Sequence, residues 1–248
     1  MFILSIFFFI TAILYSSVGF GGGSTYLALL LIWDFPYYIF PIIALICNIV
    51  VVSGNCFNYI KAGNYNFKLL IPFLVGSIPL SFIGGTLVIN KELFEILLFL
   101  VLSFAGLLLL INNKSYEENN IIVKKLNIFI SLFVGSLLGL ISGIIGIGGG
   151  IFLSPFLFLF KVEKPKIIVT TASLFILVNS ISGILGQLTK SAVINDVIFY
   201  WPLFLSVLIG GFFGNYLNLK IFNSRTLALI TSLLVIFVSV RMGIKIFL

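Results

Sequence analysis

Of the 248 residues, 61% are hydrophobic and only 8% charged, with a mean hydropathy of +1.29. That composition excludes a soluble domain and describes a polytopic, all-α membrane protein with little mass outside the bilayer. The net charge of +7 then belongs to short loops that set orientation, because no basic stripe of the kind that binds nucleic acid is present.

The first uncharged run covers 1–33. Its opening, Phe2 to Leu14, is apolar like a secretory signal but lacks a basic n-region and a small-x-small cleavage site, so it is expected to be retained. As one helix the run would reach roughly 50 Å at about 1.5 Å per residue, against a hydrocarbon core of about 30 Å. An interruption is predicted at Gly19-Phe20-Gly21-Gly22-Gly23. Consecutive glycines allow backbone conformations closed to other residues and let successive N–H groups turn toward one point, a potential anion cradle. Close helix packing is the competing use of small residues.

Runs 35–60, 69–90 and 96–113 follow, each near the length of a span. The most polar stretch, Asn112 to Asn120, opens a linker over 112–125. The pattern then recurs: a long run, 126–160, holds Gly146-Ile147-Gly148-Gly149-Gly150, and runs 167–189, 197–219 and 226–240 complete four in each half. Other landmarks keep the same order. Pro36 and Pro165 follow the glycines, Ser53-Gly54 recurs as Ser182-Gly183, and the Pro72 to Gly84 spacing recurs as Pro202 to Gly214. The expectation is two homologous transmembrane repeats, 1–111 and 126–248, each a glycine-broken first segment followed by three transmembrane helices.

If each long run crosses once, the repeats are parallel and the fourteen Lys and Arg divide eight to six between the faces. If each run enters, turns at its glycines and returns, the repeats are inverted and ten of the fourteen share one face. The positive-inside rule favours the second arrangement, with the linker cytoplasmic and both termini outside.

Histidine is absent, and Cys47 and Cys56 lie nine apart in one apolar run. No metal site, cofactor or catalytic cluster is predicted, and an enzyme is not expected. The charged residues, Asp34, Lys61, Glu95, Glu163, Asp196 and Arg241 among them, sit at run edges. Proton-coupled carriers usually keep a titratable group within the membrane, so its absence favours facilitated transport.

Ser17-Val18-Gly19-Phe20-Gly21-Gly22-Gly23-Ser24, its partner Gly143-Ile144-Ile145-Gly146-Ile147-Gly148-Gly149-Gly150 and the duplicated layout resemble the TauE/SafE family of membrane transporters. The resemblance implies movement of a small sulfur-containing anion, such as sulfite or an organosulfonate, across a prokaryotic inner membrane. An anion channel or a structural subunit of a membrane assembly are the alternatives. The expected partners are the anion and the lipid bilayer.

Helix N-termini carry free N–H groups and partial positive charge, and discontinuous helices aim them at anions in repeat transporters. The substrate is therefore expected at Gly21, Gly22, Gly23, Gly148, Gly149 and Gly150, with Ser24 and Thr25 capping the second half-helix or donating to an oxyanion. Asn48, Asn55 and Asn179 join them as donors, on the reasoning that the repeated Ser-Gly pairs beside them pack against the breaks. Gly106, in a plain helical run, is expected to tolerate alanine.

Overall fold

The computed structural model describes residues 1–111, 126–190 and 197–218, together with Leu233, Ile236, Ser239, Val240, Gly243 and Ile244. In hydrocarbon a backbone must satisfy its own N–H and C=O groups, which a helix does within one segment. Among the described residues every regular element is helical: α1 (Phe2–Val18), α2 (Gly23–Ile32), α3 (Phe40–Lys61), α4 (Phe67–Thr86), α5 (Lys91–Ile111), α6 (Ile128–Ile145), α7 (Gly150–Leu159), α8 (Pro165–Gln187) and α9 (Trp201–Asn218). Four are long and apolar enough to cross a membrane: α3 with the 3₁₀ turn before it (Tyr37–Lys61), α4, α6 and α8. The 112–125 linker lies outside the described residues.

Helix starts follow local chemistry. The side-chain carbonyls of Asn66, Asn90 and Asn127 accept bonds from the N–H groups of Leu69 (3.2 Å), Leu93 (2.9 Å) and Phe129 (2.9 Å) at the heads of α4, α5 and α6. Pro165 opens α8, where a missing N–H costs nothing.

Both long apolar runs break at their glycines. α1 ends at Gly19 (φ 85°) and α6 at Gly146 (φ 92°); α2 begins after Gly22 (φ 85°) and α7 after Gly149 (φ 74°). These left-handed conformations reverse the chain and are open to glycine at little cost. Past the first break, Tyr15 Oη lies 2.7 Å from Thr25 Oγ1, and rings pair as Phe8 with Tyr26 (4.8 Å) and Phe7 with Trp33 (5.6 Å). So α2 returns alongside α1. In the second half Phe156 of α7 meets Phe73 (6.5 Å), the residue of α4 that also touches Gly135 of α6. So α7 returns as well.

Contacts at the helix ends fix their directions. Asn66 Nδ2 donates to Glu163 Oε1 (3.0 Å) where α4 and α8 begin, and Lys190 Nζ donates to the Leu87 carbonyl (2.6 Å) where they end. The two helices are parallel. Because α3 joins α4 through the short turn at 62–66, α3 and α8 run opposite ways. One face of the protein thus carries Asn66 and Glu163, with Asn58 donating to Asn215 (3.0 Å) nearby; the other carries Leu87 and Lys190, with Phe35 against Tyr200 (5.3 Å). Burial pulls the Lys190 ammonium below the ordinary lysine pKa.

The bundle is apolar outside and polar within. Phe57, Val75, Phe104, Phe129, Phe133, Phe199 and Phe212 are exposed on the surface, whereas Ser16, Asn48, Asn55, Ser81, Ser142, Ser173, Asn179, Ser180 and Gln187 are buried. Inside, backbones approach each other directly. β-Carbons added at Gly135, Gly139 and Gly143 of α6 would overlap the carbonyls of Phe73, Ser77 and Ser81 on α4. Small residues permit such contact, and dispersion then holds the helices where no hydrophobic difference from lipid exists. Gly106 is also tightly packed, contrary to the expectation from sequence, but against a side chain: its added β-carbon would lie 2.6 Å from Ile236 Cγ1. A position that does accept alanine is Gly211, whose added β-carbon meets only Val51, at 3.6 Å.

Gly139→Val is accordingly expected to lower stability by about 1–3 kcal/mol, the usual cost of overpacking, while Gly211→Ala stays near wild type. Thermal denaturation in detergent reads the difference, and equal melting of the two variants would contradict the α4–α6 contact.

Candidate functional site

The reversals bring the two glycine breaks together at the centre of the bundle. Gly19 lies toward the Asn66 face, where its added β-carbon would meet Tyr59 Oη and Val169 Cγ1 at 2.6 Å. Gly146 lies toward the Lys190 face, against Pro41 at the head of α3 (2.5 Å by the same construction). Between them an added β-carbon on Gly23 would come within 2.8 Å of the Ile147 carbonyl. From this centre α2 runs out to the Lys190 face and α7 to the Asn66 face. The N-termini of two oppositely directed half-helices therefore face one region.

The backbone bonds leave free N–H groups there. Within α2 the first intrahelical bonds run from Thr25 and Tyr26 to the Gly22 carbonyl, and within α7 from Phe152 and Leu153 to that of Gly149. The amides ahead of them, at Gly23, Ser24, Gly150 and Ile151, have no partner within their helices. Three carbonyls of the breaks, by contrast, are paired across the halves. Asn48 Nδ2 on α3 donates to the carbonyls of Ile147 (3.1 Å) and Gly146 (3.4 Å), and Ser173 Oγ on α8 donates to that of Gly19.

Asn48 touches both breaks. Its Oδ1 sits against Gly21, where a β-carbon would overlap it, and 3.1 Å from a β-carbon placed on Gly23; it accepts no hydrogen bond. Asn48 Nδ2 and Ser180 Oγ lie 2.9 and 3.3 Å from the corresponding position on Gly148, and the Ser180 hydroxyl is also unpartnered. A small cavity of about 10 Å³, room for roughly one water, lies between Tyr15, Gly21 to Ser24, Ile147, Ile151 and Ile176. Among the described residues no Lys, Arg, Asp or Glu is buried.

The structure thus gathers Gly21, Gly22, Gly23, Ser24, Asn48 and Gly148 into one region. Gly149 and Gly150 complete the second turn, and their added β-carbons would meet Phe175 and Ile176, the latter a wall of the cavity (2.9 Å and closer). Ser24 and Thr25 do not cap α2: the N-cap is Gly22, held left-handed, and makes no side-chain cap bond. Their hydroxyls turn to Tyr15 Oη instead, at 3.4 and 2.7 Å. Asn55 is buried two turns along α3 from Asn48, with neither polar atom bonded. Asn179 Nδ2 donates back to the Phe175 carbonyl of its own helix (2.9 Å), leaving Oδ1 unpartnered.

The Ser-Gly reasoning behind Asn48, Asn55 and Asn179 does not hold, although Asn48 itself does reach both breaks. Ser53 is exposed and bonds its own helix, and Gly54 faces Asn215 of α9; Gly183 faces Leu45, Ser81 and Gly143. Sequence reasoning missed Tyr15, and it ranked Ser173 and Ser180 below the three asparagines among the polar groups of the apolar runs. The seven-residue spacing of Ser173, Ser180 and Gln187, one stripe on α8, was the available signal; Gln187 Nε2 donates to the Gly143 carbonyl at 2.9 Å.

Residues 4–242 match the family described as sulfite exporter TauE/SafE. Similar proteins include a probable membrane transporter protein of Sinorhizobium fredii, 24% identical over 93% of each chain. Another, from Methanocaldococcus jannaschii, is 30% identical over 74% of this chain and 70% of its own. A third, from Bacillus subtilis, is 22% identical over 92% of this chain and 91% of its own. No solved structure matches.

Because Asn48 and Gly21 compete for one space, Gly21→Ala and Asn48→Ala should not add. Gly21→Ala alone forces Asn48 from its bonds and is expected to lose about 1–3 kcal/mol, the cost of leaving buried carbonyls unpaired. In the Asn48→Ala background it should cost at least about 0.5 kcal/mol less. A double-mutant cycle on detergent stability measures this, and strict additivity would separate Asn48 from the first break.

Proposed function

The chain belongs to the sulfite exporter TauE/SafE family, and on that premise we propose that it carries a small, sulfur-containing anion, bound between the converging half-helices α2 and α7. As a membrane transporter with bacterial and archaeal relatives it resides in a prokaryotic plasma membrane. The observation that carries the proposal is the meeting of two half-helix N-termini, their leading amides unpaired, with the buried Ser180 hydroxyl unpartnered beside them. Such amides stabilise negative charge without a full countercharge that would trap it. Gly21, Gly22, Gly23, Ser24, Gly148 and Asn48 would form the first contacts, with the amides of Gly149 and Gly150 behind them. Thr25 would act through Tyr15, and Asn55 and Asn179 would serve the approach on either side.

A carrier is favoured over a channel by closure: the space between the breaks holds about one water, so an oxyanion enters only when the breaks part. The opposite directions of α3 and α8 favour inverted repeats over parallel ones. On this reading Lys61, Lys68, Lys161, Lys164 and Lys166 share the Asn66 face and only Lys91 and Lys190 are opposite among the described lysines, which favours a cytoplasmic Asn66 face.

Two measurements test these statements. Purified protein in liposomes should take up labelled sulfite or an organosulfonate with saturation at low turnover; near-ohmic current would favour the channel, and no flux of any sulfur anion would remove the assignment. For orientation, Ala62→Cys and Val88→Cys, each without Cys47 and Cys56, are treated in intact cells with an impermeant thiol reagent. Val88→Cys should label and Ala62→Cys should not; the reverse pattern would invert the protein.

A further inference from the structure

The charge in the site is countable. Each half-helix N-terminus contributes about +0.5 elementary charge, and α2 and α7, of ten residues each, supply two. No lysine or arginine is buried among the described residues, so the region offers about one positive charge in total.

Fixed acceptors hold it from rising further. Asn48 is fully buried, and its orientation is set by its bonds: Nδ2 donates to Gly146 and Ile147, and turning the amide over would place Oδ1 against two carbonyl oxygens. Oδ1 therefore directs the negative end of a dipole at Gly21 and Gly23. Donors toward the anion are the four leading amides and the buried, unpartnered Ser180 hydroxyl. One negative charge is neutralised by this set. A second would remain uncompensated where water is excluded, and would face the Asn48 oxygen.

We infer that the site selects singly charged oxyanions and rejects doubly charged ones of the same shape. The inference rests on the glycine-break site proposed above and narrows its substrate class by charge. A hydrogen-bearing or alkyl-substituted sulfur oxyanion meets the condition; sulfate does not.

Methanesulfonate and sulfate make the comparison, since both place sulfur in a tetrahedron of four heavy atoms and they differ by one charge. Their binding to the purified full-length protein is measured by calorimetry at one pH and ionic strength. Methanesulfonate is expected to bind at least about a hundredfold more tightly, the effect of one uncompensated charge at low effective dielectric. The Ser180→Ala variant should weaken methanesulfonate severalfold and leave its advantage over sulfate in place, because that advantage comes from net charge and not from one donor. Equal affinity for the two anions, or a preference for sulfate, would overturn the inference while leaving the site standing. Binding of neither anion, with no uptake of sulfite in liposomes, would overturn the site and the inference together.

Discussion

The structure depends on how the carbonyls of two broken helices are satisfied far from water. An unpaired peptide group in hydrocarbon costs several kcal/mol, and each break exposes some. The partner comes from the opposite half in both cases: Asn48 of α3 donates to Gly146 and Ile147, and Ser173 of α8 to Gly19. Each half thus lends a side-chain donor to the other's break. This reciprocity explains why α3 and α8 occupy the centre, and why polar side chains that are costly in a membrane are concentrated on these two helices. It also divides the backbone by chemistry. The carbonyls of Gly19, Gly146 and Ile147 are occupied by side chains, and the amides at the heads of α2 and α7 are left over.

The remaining helices serve that centre by bringing backbones close. The α4–α6 contact uses Gly135, Gly139 and Gly143, and the α4–α8 contact uses Gly85 and Gly186, each lacking room for a side chain. Hydroxyls supplement the packing, as Ser81 Oγ donates to the Asn179 carbonyl (2.9 Å) and Ser182 Oγ to that of Ile78 (2.7 Å). Individual bonds of this kind are worth about 0.6–2 kcal/mol, so the shape is held by many modest contacts around one costly feature.

The helix interruptions were legible from run length alone, because 1–33 and 126–160 exceed one crossing. Whether the chain continued or returned was not legible from length, and only the distribution of Lys and Arg favoured return. The return depends on contacts such as Tyr15 with Thr25 and Phe8 with Tyr26, and nothing in an aromatic-rich apolar run marks which ring meets which. Asn48 was legible as an intramembrane amide, though the Ser-Gly pair that drew attention to it faces elsewhere. Its bridging role was not, since it joins residues about a hundred positions apart. Ser24 and Thr25 misled because hydroxyls after a helix start suggest capping, whereas the left-handed Gly22 turns the N-cap over to backbone. Gly106 misled for a related reason: a glycine in an unbroken helix shows nothing of the helix that packs against it.

The closed centre has a consequence for movement. An anion passing toward the Asn66 face must displace the first break, held by Tyr59, Val169 and Ser173; one passing toward the Lys190 face must displace the second, held by Pro41 and Asn48. The two closures use different side chains on different helices, so one can loosen while the other stays. The region between them is common to both, because Asn48 touches Gly21 and Gly148 alike. An anion that pairs with the free amides would face the Asn48 oxygen, while Nδ2 of the same carboxamide secures the second break. Occupancy and closure thus meet at one carboxamide, and a ligand shifts a conformational equilibrium only through a difference in contacts between its states.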